Sequence, residues 1–309
     1  MSTSRARLGA LALVTISLLA CGSAVATADT APASVTGSAH GVLPGDRFPS
    51  WGGDPVTLSL DAHAAPSPGD PSHATGTWQA VHTRPDSSLY AAFGGTITTL
   101  SAAGSLAMLN GVITWKDNPA NPGLPMVGTP VALSVADRPD GDRVGFVWGF
   151  FGEPVAAGQA HVPFFALDES TLSVRTAVPG PRGGLPGSRA GLPGRRVSGT
   201  LDLGGSVLTV DASAAAGATA ATGTITLTQP TGTLQATVTD LDASGPLAIA
   251  TATVTAGSSA PIGSRISVSC YDGGTRDWAG WTAPGQPVLP AQGVLPQRPG
   301  LHGDLTVTD

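Results

Sequence analysis

Alternation of apolar and polar positions is the strongest signal in the chain. In "VLTVDAS", Leu208, Val210 and Ala212 alternate with Thr209, Asp211 and Ser213. In "TGTITLTQ", Ile225 and Leu227 alternate with Thr224, Thr226 and Thr228. In "TLQATVTDL", Leu234, Ala236 and Val238 face one way, with Gln235, Thr237 and Thr239 opposite. A period of two marks antiparallel strands with one face buried and the other wet. Turn signals such as Pro-Thr-Gly, Ala-Ser-Gly-Pro and Asp-Gly-Gly separate these runs. No amphipathic helical pattern stands out beyond the N-terminal segment.

The strand pattern occurs twice. "VTLSLDAHAA" (56–65) matches "VLTVDASAAA" (207–216) with Asp61 on Asp211, and "ATGTW" (74–78) matches "ATGTI" (221–225). "ITTLSAAGSLAMLNGVIT" (97–114) runs without a gap against "VTDLDASGPLAIATATVT" (238–255). "VGTPVALSVADRPDGDRVGF" (127–146) runs likewise against "IGSRISVSCYDGGTRDWAGW" (262–281). "GEPVAAGQAHVP" (152–163) matches "GQPVLPAQGVLP" (285–296), and "TLSV" (171–174) matches "DLTV" (304–307). Collinear order throughout implies a duplicated β domain. The expected organisation is copy 1 over 33–176, a Pro/Gly/Arg linker over 177–196, and copy 2 over 197–309. Copy 1 carries insertions around 66–73 and 118–125. The predicted fold of each copy is an antiparallel β-sandwich of seven or eight strands, with a small β-barrel as runner-up. Arg195 and Arg196 are expected to lie exposed in the linker as a site of proteolytic nicking.

Composition fits this picture. The chain has 309 residues, 42 glycines, 27 prolines and only 12% charged residues, which suits short strands and many turns. At 41% apolar it is too hydrophobic for a disordered chain. The net charge is −6, and five of the 15 basic residues fall between Arg175 and Arg196. Nucleic-acid binding needs a folded basic surface, so it is not expected.

Residues 1–20 read as an export signal: Arg5 and Arg7 precede an apolar run from Leu8 to Ala20 that is too short to span a bilayer. "LLAC" ends in Cys21 as a lipidation candidate, and "AVATA" (24–28) offers ordinary cleavage, with 21–32 as a flexible spacer. The expected location is extracytoplasmic, with a lipid anchor at Cys21 taken first and secretion second. Cys270 in "ISVSC" shares a strand face with Ile266 and Val268 and has no nearby His, so it reads as a buried core residue.

Candidate chemistry is sparse. In "DRPDGD", Asp137, Asp140 and Asp142 suit a tight hairpin turn and leave weak calcium binding as a second reading. Asp272 and Asp277 are their counterparts. Asp61, His63, His73 and His82 have metal-ligating atoms, but their spacing shows no converging set. No nucleophile elbow, phosphate cradle or carboxylate pair appears, and the only glutamates are Glu153 and Glu169. No cofactor and no enzymatic activity are expected. Aromatic residues crowd "RVGFVWGFFGEPVAAG" (143–158). Phe146 aligns with Trp281 and is expected in the core. Trp148, Phe150 and Phe151 have no counterpart and are the expected contacts with any partner.

"TGSAH" (36–40), "LSLDAHAA" (58–65), "ATGTW" (74–78), "NGVIT" (110–114) and "SVADRPDGDRVGF" (134–146) resemble a group of secreted actinobacterial proteins described as repetin-like or hypothetical secreted proteins. The resemblance implies export and an all-β fold and carries no catalytic residue. Members often hold two cysteines in the domain, a pair that this sequence lacks. The function expected first is a non-catalytic structural or interaction module of the cell envelope, meeting an unknown protein or glycan at the cell surface. The alternative is a carbohydrate- or small-ligand-binding module. Exposure of Trp51, Trp78 or Trp115 would favour binding, because sugars stack on exposed rings.

Overall fold

A computed structural model describes residues 32–64, 73–153, 155–176, 178–181, 194–283, 286 and 289–309. The expected export signal, Cys21, the insertion before His73 and most of the linker lie outside them. Copy 1 runs through β1 (Ser34–Val42), β2 (Pro55–Ala64), β3 (Ala74–Thr83), β4 (Leu89–Ala103), β5 (Leu106–Asp117), β6 (Pro130–Ala136), β7 (Arg143–Trp148), β8 (Phe165–Ala166), β9 (Glu169–Ser170) and β10 (Ser173–Arg175). Copy 2 repeats the series as β11 (Arg195–Asp202), β12 (Val207–Ala214), β13 (Ala221–Gln229), β14 (Gly232–Ser244), β15 (Leu247–Gly257), β16 (Arg265–Tyr271), β17 (Trp278–Trp281), β18 (Arg298–Pro299) and β19 (His302–Thr308). No α-helix occurs among the described residues.

Each copy is one antiparallel meander, β1 to β8 in order and β11 to β18 in order. The final segment of each copy pairs with one edge at its start and the other at its end: β8 with β7, then β9 and β10 with β1; β18 with β17, then β19 with β11. The sheet therefore curls over its own core as a half-barrel. The opposed faces of the expected sandwich are two limbs of one sheet. The predicted alternation holds: Leu208, Val210, Ala212, Ile225, Leu227, Leu234, Ala236 and Val238 are all buried.

The duplication extends to single hydrogen bonds. Both long hairpins shift register at equivalent places, between Ile97 and Thr99 in β4 and between Val238 and Asp240 in β14. Gly76 and Gly223 both adopt left-handed φ, +133° and +142°, where a Cβ would meet the carbonyl oxygen of Asp61 at 2.0 Å or of Asp211 at 2.1 Å. Asp137 accepts from the Val174 amide at 3.0 Å, as Asp272 does from Val307 at 3.4 Å. These carboxylates tie the closing strand to the β6–β7 and β16–β17 turns.

The two copies belong to one compact unit, Ala31–Asp309. Besides the core of each copy, a third cluster lies between them. It joins Leu106, Met108, Ala136 and Val162 to their own equivalents Leu247, Ile249, Tyr271 and Leu295. At its centre Ala160 and Gly293, also equivalent, exchange both backbone hydrogen bonds at 3.0 Å. Equivalent residues meeting each other is what a local two-fold axis produces. Ser134 and Ser269, at matching positions, are both buried.

The linker is shorter than expected. β11 begins at Arg195, whose guanidinium donates to the Ala218 carbonyl at 2.9 Å and pairs with Asp242. Arg196 pairs with Asp211 at 3.0 Å. Neither residue lies in a free connecting segment. Cys270 is buried and unpaired, and burial pushes its thiol up to about 12, which keeps it protonated and inert.

Gly223→Ala is expected to cost at least about 1–3 kcal/mol in denaturant unfolding, because the methyl group would enter the neighbouring backbone in a disfavoured conformation. Gly217→Ala, with φ +72° but open space around it, should lose less. Equal losses would contradict this reading of the paired glycines.

Candidate functional site

Three segments of copy 1 are longer than their counterparts, and all three reach the same end of the curled sheet. The β1–β2 connection occupies residues 43–54, against 203–206 in copy 2. The β5–β6 connection occupies 118–129, against 258–264. β7 runs two residues past the end of β17 to Trp148, then enters a single 3-10 turn, Gly149–Phe151, ended by Gly152 at φ +84°.

Each connection is held by its own hydrogen bonds. The base of the first is closed by Leu43 N to Asp54 O at 2.9 Å and Gly53 N to Leu43 O at 3.0 Å. Its tip turns through Phe48 N to Pro44 O at 2.9 Å and Trp51 N to Phe48 O at 3.0 Å. In the second, Asn118 Oδ1 accepts from the Asn121 amide at 2.9 Å, and Lys116 Nζ donates to the carbonyls of Pro122 and Leu124.

A continuous network of rings fills this end. All seven phenylalanines of the chain belong to it, and all lie in copy 1. Trp148 stacks on Phe146 at 4.8 Å between centroids, meets Phe93 edge-on at 5.1 Å, and lies over Trp78 at 5.7 Å. Phe150 and Phe151 continue from it, and Phe151 stacks on Trp51 at 6.3 Å. The rings enclose a cavity of about 240 Å³ that opens to solvent. Trp51, Tyr90, Phe93, Trp148, Phe150 and Phe151 supply much of its wall. An apolar cavity of about 150 Å³ already holds a benzene-sized molecule. Asn118, Asn121 and His82 are polar members of its lining. His82 Nε2 lies 2.7 Å from Asp54 Oδ2, both mostly buried, with the Tyr90 ring 4.5 Å from the imidazole.

Copy 2 packs aliphatic chains where copy 1 has rings. Ile225 stands for Trp78 and Leu234 for Phe93, both fully buried. Trp281, the equivalent of Phe146, is covered by the Arg298 guanidinium at 3.7 Å.

On the other side of Phe48, Phe146, Trp148 and Phe151 lies a second cavity of about 450 Å³, between the copies. Its charged residues include Arg47, Glu153, His161, Arg195 and Asp242. Asp242 takes both nitrogens of Arg47, at 2.7 and 2.9 Å, and Arg195 Nε at 3.1 Å. His161 Nδ1 donates to the Ala291 carbonyl at 3.0 Å. Burial holds its imidazole below the ordinary value, outweighing the pull of Asp242 in the other direction.

The acidic turn is occupied by its own contacts. Asp140 pairs with the Arg138 guanidinium, Asp142 accepts from the Arg138 amide at 2.8 Å, and Asp137 holds Val174. In copy 2, Asp277 likewise accepts from Gly273 at 2.9 Å. Arg138 holds the Asp140 carboxyl below its usual range. Among the described residues no three His, Cys, Asp or Glu side chains converge on a metal-sized site. His63 pairs with Asp61 on the outer face, far in the sheet from the His82–Asp54 pair. Trp148, Phe150 and Phe151 all line the pocket, and Phe151 is 57% exposed. Phe146 is half-buried and divides the two cavities. Of the three tryptophans singled out, Trp115 is exposed, Trp51 half-buried and Trp78 buried. Trp51, named as a ring that could stack on a ligand, lines the pocket, whereas sequence reasoning missed Phe48, Tyr90 and Phe93.

No protein-family model, curated protein or solved structure matches this chain.

Because the folded chain holds the His161 proton less tightly than the unfolded chain, stability is full above about pH 6.5 and falls as pH drops through that value. Urea midpoints between about pH 7 and pH 5 should therefore fall less steeply for His161→Gln than for the wild type. Identical slopes would contradict the assignment.

Proposed function

We propose that this protein is an exported, non-catalytic binding protein whose first copy takes up a small apolar, ring-bearing molecule. The observation that carries this reading is a solvent-open aromatic cavity walled in part by three segments that are longer than their counterparts in the second copy. Ordinary core packing leaves few voids larger than a water molecule, so a lined opening of this size is a feature to be explained. Most of its lining is aromatic or aliphatic, which supports holding an apolar ligand. Rings on several sides favour a flat apolar molecule over a sugar, which needs many hydrogen-bonding partners. The export signal and the lipidation candidate Cys21 support a site outside the cytoplasm, anchored or released.

A second reading, a structural or interaction module of the envelope, is favoured by Phe151 and Val127, whose exposure of 57% and 56% gives copy 1 an apolar surface.

Fluorescence titration with N-phenyl-1-naphthylamine tests the first reading. The wild type should bind the probe. Phe151→Ala should weaken binding about tenfold with an unchanged melting temperature, since one buried aromatic contact is worth about 1.5–3 kcal/mol. Ala80→Phe, which fills the cavity from β3, should abolish binding. An unbound wild type, or undiminished binding by Ala80→Phe, would overturn it.

A further inference from the structure

The pocket wall is attached to the other copy. Residues 43–54 carry Phe48 and Trp51 over the cavity, and next to Phe48 stands Arg47. Arg47 does not turn to solvent. Its guanidinium forms a two-pronged pair with Asp242 of β14, at 2.7 and 2.9 Å, and lies 4.6 Å above the Phe164 ring. The Asp242 side chain is 2% exposed. It is held from behind by its neighbour's amide, Ala243 N to Oδ1 at 2.9 Å, and by Arg195 at the start of β11. A planar fork on a fixed carboxylate specifies both distance and orientation.

The pseudo-two-fold arrangement supplies a control. Ser101 of β4 occupies the position equivalent to Asp242, and it accepts a single neutral hydrogen bond from Gln297 at 2.9 Å. The charged contact therefore exists on one side of the seam alone, the side where a loop covers a cavity. Copy–copy packing does not require it, since the Ala160–Gly293 pairing and the shared apolar cluster are symmetric.

We infer that Asp242 of the second copy is a positioning residue for the first copy's pocket: it latches Arg47 and so sets where Phe48 and Trp51 stand. This rests on the binding reading above. Apolar affinity for the pocket and docking of the loop on copy 2 are then coupled, each favouring the other.

Hydrogen exchange and probe titration on the full chain test it together. In Asp242→Asn and in Arg47→Ala, the amides of Phe48, Trp51 and Asp54 should exchange about tenfold faster, with β12 and β13 unchanged. N-phenyl-1-naphthylamine should bind about tenfold more weakly to each, and the double variant should lose no more than either alone, because both break one contact. Gln297→Ala should match the wild type in both readouts. Unchanged loop exchange in Asp242→Asn, a uniform rise across both copies, or additive losses in the double variant would overturn the latch. Failure of the wild type to bind the probe would overturn the binding reading, while loop exchange still decides the latch.

Discussion

Two equivalent backbone segments meet at Ala160 and Gly293, and the architecture depends on that meeting. Each copy alone is a curled sheet with an apolar outer stripe on its β5–β6 or β15–β16 limb, carrying Leu106 and Met108 or Leu247 and Ile249. Such a stripe is a liability in water. Pairing it with its own duplicate removes both stripes at once, and the exchanged hydrogen bonds at 3.0 Å fix the register of the pair. The tandem chain is thus a two-fold dimer in one polypeptide, with no subunit concentration to limit it.

Duplication of this kind frees one copy to change. Copy 2 retains a short first connection and an aliphatic interior at the end where copy 1 opens. Copy 1 carries Trp78 and Phe93 where copy 2 has Ile225 and Leu234, and two longer connections and an extended β7 surround them. The same copy would lose loop order if the long connection stood free. The Arg47–Asp242 contact ties it to the more conservatively built partner.

Much of the fold was legible because period-two alternation and internal repetition are local signals. The strands around Val210, Ile225 and Val238 follow from them directly, as do the matched turns holding Asp137 and Asp272. The single-sheet curl was harder to read, since alternation reports which face is buried and not whether the opposing face belongs to another sheet. Trp148, Phe150 and Phe151 stood out as unmatched residues. Trp51 stood out only as one tryptophan among three, and Phe48 not at all, although the unequal spacing before "VTLSLDAHAA" and "VLTVDASAAA" was a readable signal of an inserted loop. Tyr90 and Phe93 lie on a shared strand, where only three-dimensional convergence distinguishes a pocket wall from a core. Arg195 looked like linker because its neighbours are Gly and Pro. What places it in β11 is backbone pairing with Ala214, and its side chain is held by a carboxylate more than forty positions away, at Asp242.

Amide chemical-shift mapping of the full chain during titration with N-phenyl-1-naphthylamine tests the central claim most directly. The shifts should gather at residues 43–54, 118–126 and 148–151, with the equivalent connections 203–206 and 258–264 silent. Shifts centred on the outer face around Trp115, or distributed equally over both copies, would contradict a ligand pocket specific to the first copy.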